Sequence, residues 1–277
     1  MRPEYRALSQ ARKIEWNRCA KLILCMAATD TPSDAPVVSV LMIAYNHEKY
    51  IAQAISSVLE QKTDFPVELI VADDASTDRT PEIVESLRAQ HPETIRLIRR
   101  MQNLGPQRNF VEALHLCRGR FIALLEGDDY WISSDKLARQ VDVLQSRPEC
   151  SICFTRARVV YEDESHEPWD YPLWPSAPYT FDDLAKENFV PTCTALFRHG
   201  LLLETPPWFS TLAFGDWAIH LLLARQGDLF LIAETMAVYR VHARGVWSGM
   251  DQSEAERKRA DLRARIPDLF SVSGLRE

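Results

Sequence analysis

Between residues 37 and 126 the sequence alternates between short apolar runs and longer segments in which apolar residues recur at helical spacing. Apolar runs occupy residues 37–44, 67–72, 94–100 and 121–126, and helical patterns occupy residues 50–61, 80–90 and 105–117. Strands and helices in strict alternation predict a parallel sheet with helices on its faces. Nearly unbroken apolar runs are typical of strands that are buried on both faces. The alternation therefore predicts an α/β fold with a Rossmann-like, mainly parallel sheet.

The sequence after residue 132 predicts a second, smaller group of elements. Helices are predicted over 136–148 and 216–227, the latter ended by Gly227, and strands over 151–162 and 229–242. Residues 163–180 contain four prolines and two tryptophans, which favours an ordered loop over a site. We divide the chain into a helical lead-in (1–35), a first half (36–132), a second half (133–250) and a helical tail (251–277).

Composition and charge narrow the classes of partner. The chain of 277 residues has a net charge of −7, so we expect no nucleic-acid partner. No apolar run reaches the ~18–20 residues of a transmembrane helix, and we read residues 20–28 as part of a helix, not a signal peptide, so the cytoplasm is the expected location.

Cys150 and Cys153 form a C-x-x-C, which lacks the second pair or the histidines of a zinc site. We predict that both thiols are reduced and inert.

Polar residues follow each of the four predicted strands. The stretches are "YNHE" after the first strand, "DDASTD" after the second, "MQNLG" after the third and "EGDDYW" after the fourth. In open parallel sheets, ligands bind beyond the carboxyl ends of the strands. The sequence therefore predicts a polar, acidic ligand site at one edge of the sheet.

Three carboxylates in four positions, Glu126, Asp128 and Asp129, end the apolar run 121–126. Like charges this close repel one another, and each loses hydration near a core. A divalent cation is the first candidate to offset that cost, because Mg²⁺ and Mn²⁺ prefer carboxylate oxygens. The alternative is an ordinary acidic surface loop.

The remaining candidate residues each have a structural and a functional interpretation. Asp73 and Asp74 suit the hydroxyls of a ribose or the imide N–H of uracil, but a strand-to-helix loop with capping residues could also contain them. Thr80 is the predicted N-cap of the following helix, with Pro81 at the first helical position. Asp216, at a predicted helix start, is either an N-cap or a general base. His242 follows a strand, and it is either structural or part of a loop that closes on a metal.

Taken together and in this order, the motifs resemble the family 2 glycosyltransferases of the GT-A fold, chiefly bacterial enzymes that build surface polysaccharides. The resemblance covers residues 37–250 and rests on "SVLMIAYNHEKYIAQAISSVLEQ", "ELIVADDASTDRT", "NLGPQRN", "LLEGDDYW" and "GDW…YRVH". It implies a metal-assisted, inverting transfer of a sugar from a nucleotide-diphosphate donor, expected to be a UDP-sugar. The expected metal is Mn²⁺ or Mg²⁺. The expected acceptor is a saccharide or a lipid-linked saccharide, the latter with peripheral contact with the inner membrane.

The resemblance also implies roles for individual residues. The donor nucleotide would contact Ala44, Tyr45, Asn46, Glu48, Asp73, Asp74, Asn103, Glu126 and Gly127. Asp128 and His242 would bind the metal, and Asp216 would be the catalytic base. Two departures matter: Glu126 replaces the more usual Asp, and Gly215 precedes Asp216 where many relatives have Glu. Trp131, Trp169 and Trp174 are expected either to stack on sugars or to pack in the core.

Two other classes of protein remain as alternatives. A nucleotidyltransferase also binds a nucleotide and a metal with acids at strand ends, but it usually has a basic, glycine-rich loop, and the nine glycines here form none. A non-catalytic module that binds nucleotide sugars needs no separately placed Asp216. Release of UDP from UDP-sugars would separate these classes.

Overall fold

The computed structural model describes residues 35–212, 215–245 and 249–270. The predicted lead-in over 1–35 lies almost wholly outside the described residues. The described residues from Pro36 onward belong to one compact unit. Its strands are β1 Val38–Ala44, β2 Val67–Asp73, β3 Ile95–Arg99, β4 Phe121–Glu126, β5 Tyr130–Trp131, β6 Cys150–Tyr161, β7 Trp169–Tyr171, β8 Pro178–Tyr179, β9 Leu196–Arg198 and β10 Asp228–Val241. Its α-helices are α1 Ile51–Leu59, α2 Thr80–Gln90, α3 Pro106–Leu114, α4 Lys136–Ser146, α5 Phe181–Leu184, α6 Asp216–Ala224 and α7 Gln252–Leu269.

One mixed sheet runs through the whole unit, in the order β3-β2-β1-β4-β9-β6-β10-β5. The strands β3, β2, β1 and β4 are mutually parallel, as predicted from the alternating pattern. The short strand β9 is antiparallel to both β4 and β6, and it thereby joins the first half of the sheet to the second. The fold is therefore α/β, with helices flanking a central sheet, and the division at residue 132 stays a prediction.

The central strands are buried on both faces, and the buried carboxylate of Glu68 is paired with the guanidinium of Arg118. In β2, Glu68 accepts hydrogen bonds from Ser39 Oγ at 2.6 Å and from Arg118 Nη2 at 2.7 Å. A Cβ at Gly119 would lie 2.3 Å from the backbone nitrogen of Ser39, so only glycine allows this approach. This cluster fixes the start of β4 against β1.

Several predicted helix ends differ from the structure for local reasons. Helix α2 begins at Thr80 itself, and Asp78 Oδ1 accepts from the Thr80 N–H at 2.9 Å, so Thr80 is not the N-cap. Helix α6 ends at Ala224, three residues earlier than predicted. Gly227 instead permits close packing, because a Cβ there would lie 2.6 Å from the carbonyl oxygen of Glu149.

The second half contains more regular structure than the loop prediction for 163–180 implied, because β7 and β8 pair with β6 and β10. Cys150 and Cys153 are buried, free thiols in β6, and burial raises the pKa of each to about 12. Such thiols stay protonated at neutral pH, as the inert interpretation requires. No helix in the described part of the chain is both long and apolar enough to cross a membrane.

Candidate active site

The carboxyl ends of three parallel strands meet at one edge of the sheet. In the strand register Ile43 pairs with Glu126, and Ala44 pairs with Asp73. The predicted polar edge is therefore present, with carboxylates from β2 and β4 on either side of β1.

Hydrogen bonds join the loop after β1 to the loop after β2. Two backbone N–H groups of the first loop donate to side chains of the second: Asn46 to Ser76 Oγ at 2.9 Å and Glu48 to Asp78 Oδ2 at 3.0 Å. The N–H of His47 donates to Oγ1 of Thr80, the first residue of α2, at 2.8 Å. Asn46 and Ala75 have φ angles of 58° and 60°, a left-handed conformation that alanine rarely adopts. Strain of this kind is commonly found at functional sites.

The last residue of β2, Asp73, and the residue after it, Asp74, are buried and hold neighbouring backbone. Asp74 accepts from the N–H groups of Leu104 and Gly105 at 2.8 and 2.9 Å, one on each carboxylate oxygen. Asn103 Nδ2 donates to the Asp74 carbonyl at 3.2 Å, so the loop after β3 lies against β2. Asp73 Oδ2 accepts from a backbone N–H, and its Oδ1 has no hydrogen-bond partner within the described residues. The predicted nucleotide contacts of these residues stay predictions.

Gly127 is required by the packing of the loop after β4. Its N–H donates to the carbonyl oxygen of Ile43 at 3.0 Å. A Cβ at this position would lie 2.7 Å from Ile51 Cδ1 and 2.8 Å from His47 Nδ1. The glycine therefore lets the acidic loop approach the start of α1 closely.

Two imidazoles converge on the carboxylate of Asp128. His242 Nε2 lies 3.0 Å from Asp128 Oδ2, and His47 Nε2 lies 3.6 Å from the same oxygen. Burial raises the pKa of the Asp128 carboxyl, but the two imidazoles outweigh burial, so its pKa lies below the usual value. Asp128 is therefore an anion at neutral pH. His47 belongs to the stretch "YNHE" after β1, and nothing in that pattern predicts its contact with Asp128.

The two neighbouring acids, Glu126 and Asp129, have raised pKa values, whereas the pKa of Asp128 is lowered. Burial, followed by the charges of Asp128 and Asp216, raises the pKa of Glu126. One oxygen of Glu126, Oε2, is buried without a hydrogen-bond partner within the described residues. Asp129 is also buried with a raised pKa, and its Oδ1 accepts from the N–H of Arg240 at 2.8 Å. A cation at this edge would offset the charge of the cluster, as the sequence analysis expected.

Arg240, in β10, links the acidic loop to α1, and the sequence analysis did not identify it. Its guanidinium donates to the Asp128 carbonyl and to Gln53 Oε1, and it lies 4.4 Å from the centroid of the Tyr130 ring. The long strand β10 thus brings both Arg240 and the following His242 to the loop after β4.

Asp216 is the first residue of α6, and Gly215 is the N-cap, so the N-cap alternative for Asp216 was wrong. Asp216 Oδ2 accepts from Asn188 Nδ2 at 2.9 Å. Burial raises the pKa of the Asp216 carboxyl, and the hydrogen bonds that it accepts offset this only in part. Asp216 is close enough to Glu126 to contribute to the raised pKa of that acid. The first and second halves of the sequence therefore meet at this site.

The three candidate tryptophans have different environments. Trp131 is 4% exposed, and its Nε1 donates to the Cys193 carbonyl at 2.8 Å, so the sugar-stacking interpretation was wrong for this residue. Trp174 packs against Phe189 with ring centroids 4.3 Å apart. Trp169 remains 45% exposed.

The residues present fit a divalent cation with two protein ligands. Asp128 Oδ2 and His242 Nε2 are 3.0 Å apart, about the separation of adjacent ligands that each lie ~2.1 Å from an octahedral ion. Within the described ranges, no group of three or more His, Cys, Asp or Glu side chains is arranged to hold a metal. Any ion here would need further ligands, such as the oxygens of a bound diphosphate.

Comparison with known proteins identifies the family. The sequence profile described as Glycosyl transferase family 2 matches residues 39–204. The chain is 40% identical over 209 residues to an uncharacterized protein of Mycobacterium tuberculosis, covering 76% of this chain and 60% of the relative. It is 31% identical over 161 residues to the putative teichuronic acid biosynthesis glycosyltransferase TuaG of Bacillus subtilis, covering 58% of this chain and 62% of that one. The chain thus spans about 60% of the length of these curated relatives.

Solved structures share the fold at low sequence identity. S. aureus TarS residues 1–349 in complex with UDP-GlcNAc superpose with a TM-score of 0.61 at 19% identity, over 82% of this chain and 65% of that one. A mannosyltransferase from Pyrobaculum calidifontis, in complex with GDP-Man and Mn²⁺, gives a TM-score of 0.58 at 22% identity, over 88% and 68%. These similarities support the GT-A fold. Because the family profile matches more than half of the sequence, the chain belongs to glycosyl transferase family 2.

Proposed function

We propose that this glycosyltransferase moves a sugar from a nucleotide-diphosphate donor, a UDP-sugar, to a saccharide or lipid-linked saccharide with inversion of the anomeric centre. One observation carries the proposal. At the carboxyl edge of the sheet, Asp128 of the first half lies 3.0 Å from His242 of the second half, and Asp216, also of the second half, acts electrostatically on Glu126. A metal-binding pair and a separate carboxylate are what a direct displacement requires.

The donor side of the proposal rests on the first half of the chain, residues 36–132. The nucleotide would lie along the ends of β1 and β2, over the 46%-exposed ring of Tyr45. The predicted contacts of the other residues remain part of this proposal: Ala44, Asn46, Glu48, Asp73, Asp74, Asn103, Glu126 and Gly127. TarS binds UDP-GlcNAc and the mannosyltransferase binds GDP-Man, and both donors belong to this chemical class.

Asp128 and His242 would hold Mn²⁺ or Mg²⁺ together with the donor diphosphate. With an ion held there, the site would supply positive charge that offsets the negative charge of the leaving diphosphate. His47 lies beside Asp128, with its Nε2 3.6 Å from Oδ2, and burial lowers the pKa of this imidazole. Arg240 holds the loop from the other side through the Asp128 carbonyl.

Asp216, on the acceptor half (133–250), would act as the general base. The acceptor oxygen forms a bond to the anomeric carbon while the bond from that carbon to the phosphate oxygen breaks. The nucleoside diphosphate leaves with the electron pair, and the hydroxyl proton passes to Asp216. A single displacement of this kind inverts the anomeric centre. A lipid-linked acceptor would bring the enzyme to the cytoplasmic face of the inner membrane.

The test is to incubate the protein with UDP-sugars and with GDP-Man, with Mn²⁺ or Mg²⁺ and saccharide acceptors. Release of the nucleoside diphosphate is measured, and the anomeric configuration of the product is assigned by NMR. We expect metal-dependent release of UDP that increases with acceptor and gives an inverted product. Binding of the donor without release, or a retained configuration, would contradict the proposal.

A further inference from the structure

Asn188 lies in a connection to which the sequence analysis gave no function, yet three neighbouring contacts fix its position. The Tyr171 hydroxyl donates to the Asn188 carbonyl at 2.9 Å. The next residue, Phe189, is fully buried and packs against Trp174. On the other side, Trp217 Nε1 donates at 2.9 Å to the carbonyl of Leu184, the last residue of α5, which joins the helix before this connection to α6 next to Asp216.

The side-chain amide of Asn188 is used in an unusual way. Its Nδ2 donates to Asp216 Oδ2 at 2.9 Å, while its Oδ1 is buried without a hydrogen-bond partner within the described residues. A buried, unpaired polar atom costs roughly 1–3 kcal/mol. An apolar side chain of similar size would avoid that cost. It would also remove the donor to the buried carboxylate of Asp216, so holding that carboxylate is what the amide does at this position.

We propose that Asn188 is a positioning residue for Asp216, an inference that rests on the proposed role of Asp216 as the base. The donated hydrogen bond holds Oδ2 and so fixes the orientation of the carboxylate that takes the proton of the acceptor hydroxyl. It also favours the charged carboxylate against the burial that disfavours it. The contact thus sets both the direction and the protonation state of the base before the acceptor arrives.

Other groups also act on Asp216 and must be distinguished from Asn188. Glu126 and Tyr239 interact with it electrostatically, and Arg259 favours its charged form. The backbone N–H of Trp217 also favours the anion. None of these groups is changed when Asn188 is replaced, so a shift in the acidic limb of the pH–rate profile would report the loss of the amide.

The test compares four variants of the 277-residue chain: Asn188→Ala, Asn188→Asp, Tyr171→Phe and the control Tyr179→Phe. Tyr179 lies in the same aromatic cluster, but its hydroxyl donates to the Pro175 carbonyl, away from Asn188. For each variant, kcat, the KM values for donor and acceptor, the pH–rate profile and the melting temperature are measured. Binding of UDP with Mn²⁺ is measured by calorimetry.

We expect Asn188→Ala to lower kcat by about 10–100-fold, the effect of losing a hydrogen bond to a charged group. The acidic limb should move to higher pH, with donor KM and UDP binding unchanged. Asn188→Asp keeps the side-chain shape but adds a like charge beside Asp216, so its acidic limb should move further. Tyr171→Phe should give a smaller change in the same direction, and Tyr179→Phe should match the wild type.

The inference would be overturned by a fall in kcat without any shift of the acidic limb in both Asn188 variants, or by kinetics equal to wild type. If Asn188→Ala does not fold, the Asn188→Asp profile decides. A separate Asp216→Asn measurement distinguishes the two levels of the argument. Transfer by Asp216→Asn at the wild-type rate refutes the assignment of the base, and the positioning role with it. Loss of transfer in Asp216→Asn with no effect at Asn188 refutes only the positioning role.

Discussion

His242 Nε2 and Asp128 Oδ2 lie 3.0 Å apart, although 114 residues separate them in the sequence. The contact exists because β10 pairs with β5, which directly follows Asp128 and Asp129. Strand β10 ends one residue before His242. The second half of the chain thereby completes a site that the first half begins. Without β10, the carboxylate of Asp128 would keep His47 as its neighbour but lose its shorter contact.

The first prediction concerns metal-dependent binding of the donor nucleotide. Asp128→Asn should abolish most of the effect of Mn²⁺ on UDP binding, because a neutral amide is a poor ligand for a hard cation. We expect at least about a tenfold loss of affinity in the presence of Mn²⁺ and little change in its absence. Calorimetry with and without Mn²⁺ measures both. The control is Asp142→Asn, an exposed acid of α4, and an equal response to Mn²⁺ in the two variants would refute the role of Asp128.

The second prediction concerns Asp216 and separates chemistry from binding. An amide cannot accept the proton at neutral pH, so Asp216→Asn should slow transfer by roughly 10²–10⁴-fold. UDP and Mn²⁺ binding should remain, because those groups lie at the ends of β1, β2 and β4 and at His242. The transfer rate is measured beside the melting temperature, with Asp142→Asn again as the control. Transfer near the wild-type rate would mean that the base is another group.

Much of the first half was predictable because its strands carry an unambiguous local signal. The run 121–126 matches β4 residue for residue. A strand that is buried on both faces is apolar at every position, so the first polar residues mark its ends clearly. The three acids at its end, Glu126, Asp128 and Asp129, fall within four positions and so must lie together at the edge. The polar character of the site was therefore accessible from the order of strands and turns alone.

The contacts that tune these acids were not predictable, because they join residues far apart in the chain. Arg240, His47 and Asn188 act on acids that their own sequence neighbourhoods do not contain. Asn188 follows a four-residue helix and precedes a buried phenylalanine, and nothing in that pattern points to Asp216. Only the packing of α6 against this connection brings the amide and the carboxylate together.

The third prediction concerns the acceptor and the exposed indole of Trp169. Its ring meets that of Tyr171 edge-on, with the ring centroids 5.6 Å apart, and the Tyr171 hydroxyl donates to the carbonyl of Asn188, the residue that contacts Asp216. Trp169→Ala should raise the acceptor KM by about 2–10-fold through lost aromatic contact while the donor KM stays constant. Leu173→Ala, an exposed apolar residue of the same segment, is the control. Equal effects of the two substitutions would argue against a specific contact.

The fourth prediction concerns Lys136, a fully buried lysine behind the acidic loop. Its Nζ donates to Gln140 Oε1 at 2.7 Å and lies 4.1 Å from the centroid of the Trp131 ring. Burial lowers the pKa of this amine to about 7, and the surrounding thiols of Cys153 and Cys193 have raised pKa values, so they supply no anion at neutral pH. The folded protein therefore holds this amine in an environment that disfavours its charge.

The pH dependence of stability follows from the lowered pKa of Lys136. Between about pH 7 and 10.5 the unfolded chain binds a proton at this amine that the folded chain does not, so this residue's contribution makes stability rise with pH across that window. Lys136→Met should remove this slope and raise the free energy of unfolding by about 1–4 kcal/mol at pH 7 and below. Urea unfolding at pH 6, 7.5 and 9 measures the difference between wild type and variant, with the exposed Lys62→Met as the control. Parallel pH profiles for wild type and Lys136→Met would mean that the amine keeps its charge in the folded protein.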